Sequence, residues 1–299
     1  MNVVDPQLSV VVPTRDRPAR LAACLAALEH QTSPHLEIVV VDDASRDARA
    51  VADAVAAAPR ARLVRGAGRG PAAARNAGVR AARAPVICFT DDDCEPVPGW
   101  AHALGRRITA GSPAAAAAAG PTRNGRPGSV LANASQAIAT HLAEATIDPA
   151  TSRMRFAPTS NLACRTEVCR AIPFDERYPL AAGEDRDWCA RLIGAGHALV
   201  FVPAALVRHH QELSPAGFWR QQLRYGRGAY RFRSDHGTLL RLEAPRFYAG
   251  LLRRGLTHGP RAGALICVAQ VATVLGMCLE AVTTPPCAFS GLSGVKGRE

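Results

Sequence analysis

The chain opens on a short β-branched run, Leu8-Ser9-Val10-Val11-Val12, stopped by Pro13. Leu21, Cys24, Leu25 and Leu28 then recur at helical spacing, which predicts a helix over Ala19 to Gln31. Glu37 to Val41 reads as a second buried strand, ending in Asp42-Asp43. Arg46 to Ala58 follows as a helix, Arg62-Leu63-Val64 as a short strand and Pro71 to Ala82 as another helix. Val86 to Thr90 is a third continuous apolar strand, and it runs into Asp91-Asp92-Asp93.

Continuous apolar strands separated by helices imply a mostly parallel sheet covered on both faces, an α/β three-layer sandwich. In such sheets ligands bind beyond the carboxyl ends of the strands. Polar residues gather at those ends: Thr14-Arg15-Asp16, Asp42-Asp43 and Asp91-Asp92-Asp93. A single acidic turn could be a helix cap. Three in succession point to a ligand site.

The middle is less regular. Ala114 to Ala119 reads as a strand or a helix edge, Gly120 to Gly128 as a loop, and Thr159 to Ala163 as a strand end. Gly183-Glu184-Asp185 opens a helix running to about Ala195. Leu199 to Val202 is a strand, followed by Val207-Arg208-His209-His210. Beyond Ser214 the character changes. Phe218 to Arg233 is aromatic and basic, and Ala262 to Leu279 carries no charge after Arg253, Arg254 and Arg261. That stretch barely reaches spanning length. Gly263, Gln270, Thr273 and Gly276 dilute it, so we expect a buried or interfacial helix. The expected organisation is a first half over 1–112, a second over 113–212 and a helical extension over 213–299.

Composition narrows the classes. Of 299 residues, 48% are hydrophobic, enough for a large core. The net charge is +11, and Lys296 is the only lysine. An arginine excess suits phosphate-bearing ligands or anionic surfaces. The nine cysteines are scattered and odd in number, with no CxxC pair. That argues against a zinc ribbon or a disulfide framework and for a reducing cytoplasmic setting. Met1 to Gln7 reads as polar rather than as a leader.

Carboxylates at i and i+2 of an extended chain point to the same side. Mg²⁺ takes one or two carboxylates plus substrate phosphates. Asp91 and Asp93 therefore fit a metal–diphosphate clamp, with Asp92 aimed elsewhere as a bystander. The runs "LSVVVPTRDRPARLAACLAALEHQT", "LEIVVVDDAS", "GPAAARNAG", "VICFTDDDCEPVPGW", "TSNLACRTEV", "GEDRDWCARLIGAG" and "VFVPAALVRHH" occur in that order. Together they resemble a family-two glycosyltransferase with the GT-A fold, over roughly residues 8 to 230.

The resemblance implies roles. Pro13 and Thr14 would line the nucleotide pocket, and Asp43 would contact the base, commonly uracil. Arg75 and Asn76 would meet phosphate or ribose oxygens. Asp91 would reach ribose or a metal, and Asp93 would hold Mg²⁺ or Mn²⁺ with help from His209. Asp185 would be the general base of an inverting transfer, with Glu184 positioning it or the acceptor. Arg220, Arg224, Arg227 and Arg231, with Gln221 and Tyr225, would close over the diphosphate or face an anionic membrane. The donor would be a nucleoside-diphosphate sugar, with UDP favoured, and the acceptor an unidentified hydroxyl. The protein would work in the cytoplasm, free or against the membrane's cytoplasmic face.

Two other classes compete. A nucleotidyltransferase uses a similar sheet, but it usually carries a Gly-rich loop with Lys or Arg after the first strand, which Pro13-Thr14-Arg15 does not supply. A basic nucleic-acid or membrane module would interleave aromatics with its cations, and only Phe218 to Phe232 does so. No nucleic-acid partner is expected.

Overall fold

The structure is a computed structural model that describes residues 5–33, 35–110, 115–239 and 243–284. In chain order the first elements are β1 (Leu8–Thr14), α1 (Pro18–Glu29), β2 (Leu36–Asp42), α2 (Ala48–Ala56), β3 (Ala61–Arg65), α3 (Pro71–Ala81), β4 (Val86–Phe89), β5 (Cys94–Pro96) and α4 (Trp100–Thr109). They continue with β6 (Ala117–Ala119), β7 (Thr122–Asn124), α5 (Val130–Glu144), β8 (Leu162–Arg165), α6 (Thr166–Ala171), α7 (Glu184–Gly194), β9 (Leu199–Phe201) and β10 (Val207–His209). Three helices follow: α8 (Pro215–Asp235), α9 (Pro245–Leu256) and α10 (Pro260–Thr283).

Seven strands form the main sheet in the order β3-β2-β1-β4-β8-β6-β9. The pairs β1–β2, β2–β3, β1–β4 and β6–β9 are parallel, while β8 runs against both its neighbours. The apolar runs are divided by the pleat, because successive side chains point to opposite faces. Val10, Val12, Ile38 and Val40 pack with Leu21, Leu25, Trp100 and Leu104 on one side. Val11, Val39, Val41 and Phe89 pack with Ala72, Val79, Phe174 and Trp188 on the other. Each fully buried aliphatic side chain contributes about 1.5–3 kcal/mol. The sheet is thus a three-layer core whose polar rim lies at its carboxyl edge.

Several local expectations change. Thr159–Asn161 is a 3₁₀ turn that leads into β8 rather than a strand end. Its Asn161 accepts from the buried Trp100 indole at 2.8 Å and donates to Pro121 O and Ala205 O. The segment is needed there for polar satisfaction. Ala117–Ala119 is a strand, while Ala114 lies outside the described residues. The Gly120 to Gly128 loop contains β7, which joins β5 and β10 in a second sheet of order β5-β10-β7. His209 does not follow the last strand; it ends β10.

Helices α5, α8, α9 and α10 form a separate apolar cluster around Ile138, Phe218, Leu251 and Ile266. A Cβ on Gly226 of α8 would collide with Thr273 O, and one on Gly276 of α10 with Leu223 O. Two glycines thus let α8 and α10 touch backbone to backbone. Glu280 is fully buried on α10 and pairs with Arg227 Nε at 2.6 Å and Arg231 Nε at 2.5 Å. The opposite face of α10 is apolar and exposed, from Val268 and Val271 to Leu279 and Val282.

Candidate active site

The three strand ends meet. Thr14 pairs with Asp42 across β1 and β2, and the Asp43 N–H donates to Thr14 O at 2.9 Å. Asp92, expected to be a bystander, is the tie between them. Its Oδ2 accepts from Thr14 Oγ1 at 2.7 Å, and its Oδ1 lies 2.7 Å from Arg17 Nη2. It is fully buried, and that burial pushes its pKa up to about 7 against the pull of Arg17.

Asp93 turns the other way, into the cleft. β10 lies antiparallel to β5 with His209 opposite Cys94. That register brings His209 Nε2 within 3.2 Å of Asp93 Oδ1. Arg17 Nη1 is 3.0 Å from Asp93 Oδ2, and Arg20 Nη1 is 3.6 Å away. Burial alone would raise the Asp93 pKa, but His209, Arg17 and Arg20 hold it well below the carboxylate range. Burial also works against the His209 cation, yet Asp93 leaves its pKa raised. The other imidazole nitrogen, Nδ1, has two neighbours: Gln136 Oε1 at 3.3 Å and Gln211 Nε2 at 3.0 Å.

Asp93, Cys94 and His209 place one ligand atom each within 4.8 Å of one another. Burial raises the Cys94 thiol well above its ordinary pKa, so it stays protonated and is a poor partner for a hard cation. A carboxylate and an imidazole, with Asp91 nearby, are a donor set that suits Mg²⁺ or Mn²⁺. Cys94, Arg17, Arg20 and Gln136 were missed by the sequence reading. Arg17 and Arg20 had a signal, three residues apart just after the first strand. Gln136 had none.

Arg75 joins this cluster to a second one. It is 3% exposed; Nη2 lies 2.9 Å from Asp91 Oδ1 and Nη1 lies 3.0 Å from Glu184 Oε1. Two carboxylates therefore engage the guanidinium expected to meet phosphate. Asn76 is a clearer correction. Its amide donates to Phe174 O and Glu176 Oε1, and its Oδ1 accepts from Phe174 N. It staples α3 to the loop after α6 and does not line the cleft. Gly183 caps α7 at φ +93°, and a Cβ there would sit 2.8 Å from Gly228 O. That left-handed turn starts the helix directly at Glu184-Asp185. Burial raises the pKa of both carboxylates, with Arg75 opposing it. Asp185 accepts from Arg186 N at 2.8 Å.

Asp91, Asp93, His209, Arg75, Glu184 and Asp185 line one cleft of about 1020 Å³, together with Pro13, Thr14 and Asp43. Asp43 Oδ2 accepts from Gly70 N at 2.8 Å, and its buried Oδ1 has no hydrogen-bond partner among the described residues. Arg220, Gln221, Arg224 and Tyr225 of α8 form the opposite wall. Arg227 and Arg231, expected alongside them, turn instead to Glu280.

An acid-lined cleft at the carboxyl edge of a mostly parallel sheet is the usual ligand site of an α/β domain. Comparison with known proteins makes this specific. The model for "Glycosyl transferase family 2" matches residues 9–173, and that for "Glycosyl transferase family group 2" matches residues 133–292. The chain belongs to glycosyl transferase family 2. It is 29% identical over 228 residues to the pre-mycofactocin glycosyltransferase of Mycobacterium tuberculosis, covering 74% of this chain and 46% of that protein. It thus spans about half the length of that relative. The glycosyltransferase AglE of Haloferax volcanii is 27% identical over 75% of this chain and 73% of its own.

Among solved structures, the mannosyltransferase PcManGT from Pyrobaculum calidifontis, in complex with GDP-Man and Mn²⁺, matches with a TM-score of 0.58. The identity is 20%, over 96% of this chain and 79% of that one. Glucosyl-3-phosphoglycerate synthase from Mycobacterium tuberculosis, in complex with Mn²⁺, UDP and glucosyl-3-phosphoglycerate, matches with a TM-score of 0.56 at 16% identity, over 77% and 79% of the two chains. The fold is GT-A.

Proposed function

We propose that the protein transfers a sugar from a nucleoside-diphosphate sugar to an acceptor hydroxyl, with inversion and with a divalent cation. The observation that carries this reading is one cleft shared by two acid clusters of opposite character, joined through Arg75. In it, Asp93, His209 and Asp91 would hold Mg²⁺ or Mn²⁺ against the diphosphate. A bound cation supplies charge stabilisation to the leaving group. Asp43 Oδ1 would accept from a base N–H, an imide such as that of uracil, which favours a UDP-sugar. Arg220 and Arg224 would meet the diphosphate oxygens.

The acceptor oxygen attacks the anomeric carbon from the face opposite the diphosphate. As that bond forms, the bond from the anomeric carbon to the diphosphate oxygen breaks and the diphosphate leaves with the electron pair. The acceptor's proton passes to Asp185, whose raised pKa suits a general base. Residues 1–112 would bind the donor, 113–212 would carry the base and face the acceptor, and 213–299 would roof the cleft.

The decisive experiment is a binding and hydrolysis screen of UDP-, GDP- and dTDP-sugars with Mn²⁺ or Mg²⁺. Metal-dependent binding of at least one is expected, and failure of all by the folded protein ends this reading.

The proposal extends to a peripheral contact with the cytoplasmic membrane face. α10 has 24 residues, and its most apolar 18-residue window has a mean hydropathy of 2.1, long and apolar enough to cross a membrane. However, 33% of its most apolar window is buried and Glu280 is locked to α8, so it lies on the protein with one apolar stripe outward. Such a stripe with arginines nearby suits an interfacial helix. Co-flotation with phosphatidylglycerol vesicles is expected, and its loss in Val271→Asp/Val274→Asp checks it.

A further inference from the structure

At about 1020 Å³ the cleft stands at the upper end of the roughly 300–1,000 Å³ usual for a small-molecule site. It has two kinds of wall. The donor end is crowded with buried polar atoms that lack partners among the described residues, including Asp43 Oδ1, Arg75 Nε and Arg224 Nε. Away from it the lining is apolar. α5 passes the metal end at its middle, where Gln136 touches His209, and its last turn presents Leu142 to the cleft. Ile147, Met154 and Phe156 continue that wall, and Phe247 and Leu251 of α9 complete it.

Polar groups along this arm are already engaged within the protein. Thr140 Oγ1 donates to Thr122 O at 3.2 Å. His141 Nε2 bonds Phe247 O at 2.9 Å, and the two rings lie 4.6 Å apart. Glu144 is ion-paired with Arg254. A polar acceptor laid here would lose water without gaining partners. The arm also starts beside the proposed base. Arg186, which donates its N–H to Asp185, sits 5.6 Å above the Phe156 ring.

We infer that the acceptor is an amphiphile whose hydroxyl reaches Asp185 and whose hydrocarbon part lies in this arm. The inference rests on the transfer reaction proposed at Asp185. The hydrocarbon comes either from bulk water or from a bilayer. The geometry favours the bilayer, since α10 gives Gln270 and Thr273 to the cleft and turns Val271 and Val274 outward.

The test is photo-crosslinking of the full chain with a diazirine-bearing long-chain alcohol, with labelled peptides read by mass spectrometry. The probe is supplied in water in one arm and in phosphatidylglycerol vesicles in the other, which separates the two sources. Labels are expected within 138–156 and 247–251, competed by octyl glucoside but not by methyl glucoside. Leu142→Glu should cut them at least tenfold, and Ala139→Phe, which fills the arm, serves if that variant does not fold. Labelling confined to the outer face of α10, or unchanged in a folded arm variant, overturns the inference.

Sugar-nucleotide binding is measured on the same sample. A nucleotide bound with the arm unlabelled overturns the acceptor inference alone. The arm labelled with no sugar nucleotide bound overturns the transfer reading and leaves the apolar site standing.

Discussion

Asp93 and Asp185 line the same cleft and are driven in opposite directions. Three cationic groups surround Asp93, and it stays ionised despite burial. Asp185 accepts from one backbone N–H, and burial outweighs the pull of Arg75 and Arg186, so its pKa rises. Divergent environments suit two carboxylates to divergent jobs. One is built to hold charge at every working pH, as a cation ligand must. The other takes up a proton more readily than a free carboxylate, as the general base of the proposed transfer would have to.

The largest effect should come from removing the base. Asp185→Asn is expected to lower kcat by about 10²–10⁴-fold while sugar-nucleotide binding is retained. Full activity in that variant ends the assignment. The wild-type acid limb of kcat/KM should lie above the ordinary carboxylate value of about 4, because a base with a raised pKa is lost to protonation earlier as pH falls. Stability moves the opposite way. A carboxylate whose folded pKa is raised stabilises the fold below its unfolded pKa and loses that contribution as pH rises through the folded one. Asp185→Asn should therefore melt higher than wild type at pH 7.5, with the gap closing towards pH 4.

Asp93→Asn should break the other arm of the comparison. Loss of metal-dependent charge stabilisation is worth several kcal/mol, on the order of 10³-fold in rate. The variant should match wild type stripped by EDTA, and added Mn²⁺ should restore only the wild type. Metal-independent activity equal in both would remove Asp93 as a ligand.

Arg75 is where the two clusters can be uncoupled. Arg75→Met leaves Glu184, at 5% side-chain exposure, as a buried unpaired carboxylate. Breaking such a pair costs about 3–5 kcal/mol, measurable by urea unfolding. With the cation gone, Glu184 and Asp185 should titrate higher still, moving the acid limb upward. Adding Glu184→Gln should recover part of the stability, because it removes the stranded charge.

The first cluster was legible in the sequence for a physical reason. A parallel strand is a continuous apolar run, and its carboxyl end is marked by the first polar residues after it. Asp43, Asp91 and Asp93 could be placed that way. Glu184-Asp185 could not, because an acidic first turn is ordinary on any helix; the ordered family resemblance supplied that site. α5 was not seen at all. Its Ala-rich face gives little contrast between buried and exposed positions, and Gln136 reaches the site only through a partner 73 residues away. Asn76 was misplaced for the converse reason: its motif neighbour Arg75 faces the cleft, and one residue along a helix turns the side chain away.

Gln136 gives the smallest and sharpest prediction. To bind a cation through Nε2, His209 must carry its proton on Nδ1, and Nδ1–H needs an acceptor. Gln136 Oε1, at 3.3 Å, is that acceptor. Gln211 Nε2, at 3.0 Å, is a donor and favours the other tautomer, in which Nε2–H donates to Asp93. The two amides thus pull His209 between a metal-binding and an Asp93-bonded form. Gln136→Leu should shift it towards the second and weaken Mn²⁺ binding about 10–100-fold, as losing an outer-shell partner does. Gln211→Leu should leave affinity unchanged or strengthen it. Titrating Mn²⁺ by its paramagnetic relaxation would read both, and equal losses in the two variants would show that these glutamines only support the fold.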